Sequence, residues 1–242
     1  LILGWNWRTP LVIRELDAYV SPGSTITLVN SYQAEDIAAW YESYTPKNIA
    51  ITIRDEDSTD REFLDGLDLL SFHHIIVMAA SEALPAEDAD ARTLITLLHL
   101  RDISDRVGHP FTIVSEMLDV RNRRLAEVTK ADDFIVSNRL ISLILAQVTE
   151  NKGLNAVFTD LFDPEGAEVY LKPMNEYIVP GQEVNTTTLI AAAQRRGEVA
   201  IGFRIAADAS DATKAYGCVI NPPKDALHTF TSADRIIVLA NS

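Results

Sequence analysis

Cysteine is almost absent from this sequence, since Cys218 is the only one among 242 residues. A single cysteine excludes an intrachain disulfide, and it also excludes a zinc site built from several thiolates. We therefore expect a reducing compartment, with Cys218 as a small packed residue and not as a nucleophile.

Long apolar runs and positive charge are scarce as well. No run approaches the roughly 18 apolar residues that span a bilayer, and the first residues do not resemble a secretory signal peptide. With 21 basic against 35 acidic residues, the net charge is -14. Such a surface repels phosphate backbones, so neither nucleic-acid binding nor direct membrane insertion is expected of this chain. Because it opens with Leu1 and not with Met, we expect a fragment of a longer protein.

Alternating strands and helices fill the first part of the chain. The strands are apolar along nearly their whole length, which is typical of a parallel sheet covered by helices on both faces. We therefore predict a Rossmann-like α/β lobe over residues 1-137. The predicted strands are Leu1–Leu3, Thr25–Asn30, Asn48–Ile53, His73–Ala80, Phe111–Ser115 and Asp133–Ser137, and the predicted helices are Pro10–Tyr19, Glu35–Tyr44, Asp88–Arg106 and Val120–Val128.

An unusually apolar helix is predicted next, over residues 138-152. Leu140, Leu143, Ile144 and Val148 recur near helical spacing in this segment. A helix that is apolar around much of its circumference needs burial on more than one side. It is either a core helix or a crossover helix that packs between lobes or subunits, and we assign these four residues to an oligomer interface.

A second lobe of class α+β is predicted over residues 153-242. Short strand candidates separated by turn residues replace the earlier alternation, and one helix, Thr187–Arg196, lies among them. The strand candidates are AEVYLKP, EYIVPG, EVAIGFRI, GCVINPP and DRIIVLANS.

The loop after the first strand has the frame of a dinucleotide-binding turn but not its composition. The three glycine positions of G-x-G-x-x-G read Gly4, Asn6 and Thr9, and the second strand ends in Asn30 where an acid would bind the ribose. NAD binding is therefore not expected. The crevice formed by Gly4, Asn6, Arg8 and Asn30 offers amides, a guanidinium and a helix N-terminus, which suit a small anion or a polar uncharged group.

Three carboxylates follow the third strand. Asp55, Asp57 and Asp60 are hard oxygen ligands of the kind that bind Ca²⁺ or Mg²⁺, although their spacing is not that of an EF-hand. The alternative is a solvated loop that places negative charge at a helix N-terminus.

No local signature pairs a nucleophile with a base in this sequence. The motifs G-x-S-x-G, G-x-x-x-x-G-K-[ST] and H-E-x-x-H do not occur, so we assign no catalytic residue and do not expect an enzyme. The alternative hypothesis is a Rossmann-type oxidoreductase or nucleotide-binding protein with a modified loop.

The order of the parts and several segments resemble a known family. The segments are LGWNWRTPLVIREL with YVSPGSTITLVN, ADARTLITLLHLRDI, TIVSEMLDVRNR, DDFIVSNRLISLILAQV, and GEVAIGFRI with VINPP. They are similar to the regulator of K⁺ conductance (RCK) domain of the Castor/Pollux (DMI-type) ion channels of plant nuclear envelopes and their bacterial relatives, among which we place the chain. The resemblance covers nearly the whole sequence.

The resemblance implies a function that the residues alone do not. It implies a cytoplasmic regulatory domain of a membrane protein, which assembles with copies of itself into a gating ring and is linked to upstream transmembrane pore helices. It also suggests Ca²⁺ or another cation as ligand, although no individual residue matches a family calcium site.

Overall fold

The computed structural model describes residues 1–122, 133–163, 166–209 and 211–241. The chain forms two compact units, Leu1–Glu150 and Asn151–Ser242. Within the described ranges, no helix combines the length and the apolar composition that crossing a membrane requires.

The first unit is built on a parallel sheet of six strands in the order β3-β2-β1-β4-β5-β6. Its strands are β1 Ile2–Leu3, β2 Ser24–Val29, β3 Ile49–Arg54, β4 Ile75–Val77, β5 Ile113–Met117 and β6 Asp133–Val136. The first strand lies at the centre, where Ile2 is in register with Leu28 of β2 and with Ile76 of β4. The chain therefore builds one half of the sheet outward from β1 and then the other half, and the carboxyl ends of β1 and β4 meet where the order reverses.

The helices of the first unit begin and end at residues that the sequence explains. They are α1 Thr9–Tyr19, α2 Ala34–Ser43, α3 Arg61–Gly66, α4 Ala86–Val107 and α5 Ser137–Glu150. Pro10 stands in the first turn of α1, where no N–H is needed. Asp60 caps α3 by accepting the backbone N–H of Glu62. Gly108 ends α4 in the left-handed conformation, with φ 67°.

Both faces of the parallel sheet are buried at β1 and at the carboxyl end of β2. Ile2 and Leu28 pack with Ile13 of α1 in one cluster. The next residues along the same strands, Leu3 and Val29, belong to a second cluster with residues of α3 and α4, namely Leu64, Leu97 and Leu100. Because successive strand residues point to opposite faces, two-sided burial requires strands that are apolar throughout.

The second unit is an α+β assembly around an antiparallel sheet. Its helices are α6 Leu154–Leu161 and α7 Thr186–Gln194, and its strands are β7 Ala167–Pro173, β8 Glu183–Asn185, β9 Val199–Arg204, β10 Cys218–Ile220, β11 Leu227–Thr229 and β12 Arg235–Asn241. The main sheet has the order β10-β9-β12-β7, and β11 pairs separately with β8. Met174, Leu189, Phe203 and Phe230 form the centre of its core.

The predicted fold class is confirmed, whereas three details differ. The predicted strand EYIVPG is wrong: Met174–Glu176 is a 3₁₀ turn, and the N–H groups of Tyr177 and Ile178 both bond back to the Met174 carbonyl and not to a neighbouring strand. Helix α6 and the short strands β8 and β11 were not predicted. Of the predicted helix Val120–Val128, the part Val120–Asn122 is a 3₁₀ turn, and the rest lies outside the described residues.

Candidate functional site

The loop between β1 and α1 comprises residues 4–8. Packing against a neighbouring strand explains why the first glycine of the dinucleotide-binding motif, Gly4, is present in it. Gly4 has φ 94°, and a Cβ atom placed there would lie 2.3 Å from the carbonyl oxygen of Met78, just beyond β4. The backbone of a neighbouring strand end therefore requires glycine at this position. The following Trp5 is buried, and its ring lies 5.3 Å from that of Trp40 between centroids.

Asn6 occupies the position of the second glycine and is fully buried. Its amide nitrogen donates to the Ala79 carbonyl at 2.7 Å and to Glu116 Oε2 at 2.7 Å. Its amide oxygen accepts the backbone N–H of Arg8 at 2.9 Å. Asn6 therefore links its own loop to the ends of β4 and β5, where a nucleotide-binding turn would leave open space.

Arg8 points to the same acidic side chain. Its Nη1 atom lies 2.9 Å from Glu116 Oε1, and its guanidinium carbon lies 4.6 Å from the centre of the exposed Trp7 ring. A guanidinium that is paired with a carboxylate in this way is not a free positive charge at the mouth of the crevice.

The backbone donors at the start of α1 are engaged as well. Each N–H group of residues 6–9 has an acceptor within the chain: Asn6 N–H to Thr9 Oγ1 at 3.0 Å, Trp7 N–H to Glu82 Oε2 at 2.7 Å, Arg8 N–H to Asn6 Oδ1 at 2.9 Å, and Thr9 N–H to the Asn6 carbonyl at 2.9 Å. A helix N-terminus binds an anion through such donors. Here those donors already have partners.

The crevice itself is small. Gly4, Asn30, Tyr32 and Arg92 line a cavity of about 20 Å³, which has room for a water molecule and none for a nucleotide. Asn30 is buried, and its side-chain amide donates to the Tyr32 carbonyl. The structure thus brings Gly4 and Asn30 together and places Asn6 and Arg8 against Glu116 instead, so the four predicted crevice residues form two separate sites.

Arg92 of α4 closes the crevice from the other side. Its guanidinium carbon lies 5.1 Å from the centre of the Tyr32 ring, and it forms an ion pair with the Asp57 carboxylate. Burial by itself raises the pKa of Asp57, but the hydrogen bonds from Arg92 and Thr59 outweigh it and hold the pKa below its usual value.

The three carboxylates of the acidic loop have different surroundings. Asp55 is exposed, Asp57 accepts the backbone N–H and the hydroxyl of Thr59 at 2.8 Å each, and Asp60 caps α3. Among the residues that the structure describes, no group of three or more His, Cys, Asp and Glu side chains is placed to hold a metal ion. A calcium site at Asp55, Asp57 and Asp60 remains a prediction.

Helix α5 carries the four predicted interface residues, of which two are exposed and two are half-buried. Leu140 and Leu143 are 48% and 54% exposed, and Leu145 is 62% exposed. Ile144 and Val148 are half-buried, and no residue from 140 to 150 is fully buried. Over residues 140–150 the helix is therefore partly exposed and carries apolar side chains on its surface.

Two central residues of this region were not identified from the sequence. Glu116 is one acidic residue in an apolar strand, and Arg92 is one basic residue in a mixed helix. Their partners lie 110 and 35 positions away along the chain. Glu116 directly follows the predicted strand Phe111–Ser115, and an acid next to a buried strand is a usable signal, because such a residue needs a donor if it is buried.

Comparison with known proteins connects this architecture to ion channels. No protein-family profile matches the chain. It is 30% identical to the probable ion channel CASTOR of Oryza sativa subsp. japonica, over 99% of this chain and 30% of that protein. It is also 30% identical to the ion channel CASTOR of Lotus japonicus, over 92% of this chain and 29% of that protein. The chain is a relative of the Castor/Pollux ion channels.

The Castor/Pollux relatives are much longer than this chain, which spans about 30% of their length. Among solved structures, the human SLO3 gating ring superimposes with a TM-score of 0.63 at 11% identity, over 100% of this chain and 44% of that one. At such low identity the likeness shows the fold alone. The predicted RCK-like Rossmann fold and the family resemblance are both confirmed.

Proposed function

We propose that this chain is the regulatory, gating-ring-type domain of a cation channel and that it is not catalytic. The observation that carries the proposal is the alignment with Castor/Pollux channels over nearly the whole chain, on a fold shared with a channel gating ring. In this role the domain senses a ligand, and Ca²⁺ is the candidate. Binding shifts an existing equilibrium between ring conformations and so changes the pull on the pore.

The closed crevice supports the regulatory role over the enzymatic alternative. A dinucleotide-dependent oxidoreductase needs space for its cofactor at the ends of β1 and β2. The cavity between Gly4, Asn30 and Arg92, where the ribose and pyrophosphate would lie, is about 20 Å³, and the N–H groups of residues 6–9 are engaged by the protein itself. Calorimetry with NAD(H), NADP(H), ADP and ATP tests this point, and micromolar binding to the wild-type chain would return the enzymatic alternative to first place.

Self-assembly is the second part of the proposal. The exposed apolar residues of α5 form a surface that is unfavourable on an isolated chain in water. A second copy of the same chain is the partner we propose for that surface. The remaining partners would be transmembrane pore helices upstream in the full-length protein, with this domain on the cytoplasmic side of the membrane.

The experiment that tests the function uses the complete protein that contains this chain. We would reconstitute it in planar bilayers and record currents with and without Ca²⁺ on the side of this domain. The expected result is a cation current whose open probability changes with Ca²⁺, and whose regulation is lost in Leu143→Glu/Ile144→Glu. The matched control is Thr149→Glu, which adds a charge at an exposed polar position on the opposite side of the same helix and should leave regulation intact. Absence of any current, or a current indifferent to both changes, would contradict the proposal.

A further inference from the structure

Glu116 is an acidic side chain buried in the middle of the first unit. It is 6% exposed and belongs to β5, whose other residues are largely buried as well. A buried carboxylate is stable only where several donors replace its lost water. Three donors from other elements surround it: Arg8 Nη1 at 2.9 Å, Asn6 Nδ2 at 2.7 Å and the Ala79 N–H at 3.3 Å.

The place of this carboxylate in the fold is informative. Its donors come from the loop after β1 and from the end of β4, which are the central strands where the sheet order reverses. In nucleotide-binding sheets of this type the phosphate groups lie against the loop after β1, at the start of the first helix. A guanidinium, an amide and a backbone N–H converging on one point form a donor set that suits an anion.

We infer that Glu116 is a built-in anion that takes the place of a ligand phosphate. Its carboxylate orders the loop of residues 4–8 by bonding Asn6 and Arg8, and it joins that loop to β4 and β5. The domain therefore needs no nucleotide to hold its first strand, loop and helix together. Glu116 is in this sense a positioning residue, and the donor set around it is a complete anion site with an internal occupant.

A second carboxylate completes the arrangement from the surface. Glu82 is exposed, follows β4, and accepts the Trp7 N–H at 2.7 Å. An external anion would have to displace two carboxylates that are attached to the same chain and therefore present at high effective concentration. This explains in physical terms how the turn kept its shape after losing two of its three glycines.

The inference predicts that the anion site survives removal of its occupant. In Glu116→Ala the group lost beyond Cβ matches acetate in size and charge, and the three donors remain. Arg8 and Glu116 also line a cavity of about 1040 Å³, which gives a small solute access. We therefore expect acetate to bind the Glu116→Ala variant and to stabilise it in the absence of any natural ligand.

The measurement is a thermal melt followed by tryptophan fluorescence. The three tryptophans are Trp5, Trp7 and Trp40, so the signal reports the first unit alone. We expect Glu116→Ala to lower the Tm by roughly 6–15 °C, because the guanidinium is left without its counter-charge. Sodium acetate should restore about 3–6 °C at roughly ten times its dissociation constant. Sodium chloride at equal concentration should restore none of it.

Three controls make the result decisive. Wild type and Glu116→Gln have no vacant space, so neither should respond to acetate beyond chloride. Glu42→Ala removes an exposed carboxylate in the last turn of α2 and should melt close to wild type, with no response to acetate beyond chloride. An acetate response that is equal in all variants, or missing in folded Glu116→Ala, would overturn the inference.

A further variant covers the case in which Glu116→Ala does not fold. Glu116→Gln keeps the shape and removes the charge, so it should melt below wild type, and a wild-type Tm for this variant would also overturn the inference. Refolding Glu116→Ala in acetate, with refolding in chloride as the comparison, should then recover a larger folded fraction.

Discussion

At the scale of single residues, Gly4 occupies a position of the dinucleotide-binding motif, but the packing of the protein itself requires it there. A nucleotide-binding turn uses its first glycine for a tight bend beside the ligand. Here the constraint comes from the Met78 carbonyl, which is 2.3 Å from the position of a Cβ atom. The glycine is thus required whether or not anything binds.

Gly4→Ala should therefore destabilise the first unit strongly. We expect a loss of about 3 kcal/mol or more, because a backbone carbonyl in the sheet must move. The matched control is Gly23→Ala, which also has a positive φ, 90°, but meets nothing within 4 Å, and should lose only about 1–2 kcal/mol. Tryptophan-detected urea unfolding measures both, and equal losses in the two variants would show that the close approach is unimportant.

Residues such as Asn6 also mark the limit of sequence reasoning. The absence of two glycines predicts that the turn is not an ordinary dinucleotide site, and this remains a prediction. The same reasoning grouped Asn6 and Arg8 with Asn30, because all follow the carboxyl ends of neighbouring strands. It could not predict that the side chains of Asn6 and Arg8 both bond to Glu116, which lies more than 100 positions away along the chain. Position on a sheet edge is predictable from sequence, whereas the direction of a long side chain depends on a distant charge.

At the scale of elements, one aspartate holds the connection between α2 and β3. Asp17 of α1 is buried, and its carboxylate accepts the N–H groups of Lys47 at 2.8 Å, Asn48 at 2.7 Å and Ile49 at 3.1 Å. Burial raises the pKa of Asp17, but these backbone bonds and the Tyr44 hydroxyl outweigh it and lower the pKa overall.

This depressed pKa gives stability a defined pH dependence. The contribution of Asp17 is fully present above its unfolded-state pKa of about 4 and is lost as the pH falls through the lower folded-state value. Asp17→Asn should lose about 2–3 kcal/mol at pH 7 and show a weaker loss below pH 4 than wild type. Asp36→Asn, at an exposed position of α2, is the control. An unchanged acid-unfolding profile in Asp17→Asn would contradict this account.

The acidic loop between β3 and α3 yields a prediction about cations. If Asp55, Asp57 and Asp60 bind Ca²⁺, millimolar Ca²⁺ should raise the Tm of the first unit. Asp55→Asn should reduce that gain while leaving the Asp57–Arg92 pair and the α3 cap in place, and Asp57→Asn should remove it. The control is Glu35→Gln, which changes an exposed acid elsewhere. Equal gains in all variants would place the cation elsewhere, and no gain in wild type would leave the loop as a helix cap and solvated turn.

At the scale of the whole molecule, the two-lobe order was predictable because it rests on periodicity. Apolar strands alternating with helices define the first unit, and the change to short strands after Gly153 defines the second. One predicted strand was wrong because the backbone at Tyr177 forms local hydrogen bonds and does not pair with a neighbouring strand. Short strands such as Glu183–Asn185 were not predicted because three residues are too few to show an alternation of apolar and polar side chains. The division into residues 1-137, 138-152 and 153-242 remains our prediction.

Self-assembly is the prediction at this scale that a single measurement can decide. We expect the wild-type chain to be larger than a monomer by light scattering at high micromolar concentration. Leu143→Glu/Ile144→Glu should weaken association by roughly 100-fold, the equivalent of about 3 kcal/mol, because carboxylates would be buried in an apolar interface. Thr149→Glu, on the opposite side of the helix, should leave the mass unchanged. A monomeric wild type would refute the assembly proposal.

The position of β12 has a consequence for the order of events on the ribosome. This strand follows the other strands of its sheet along the sequence, yet it lies inside the sheet and pairs with both β7 and β9. Its register partners in β7 precede it by 62 residues, for Arg235 and Pro173, to 74 residues, for Asn241 and Ala167. The first unit begins with its own central strand, so its sheet can grow as the chain emerges. In the second unit, β7 and β9 stay without their shared partner until residues 235–241 leave the exit tunnel, and unpaired strand edges of this kind are prone to aggregation.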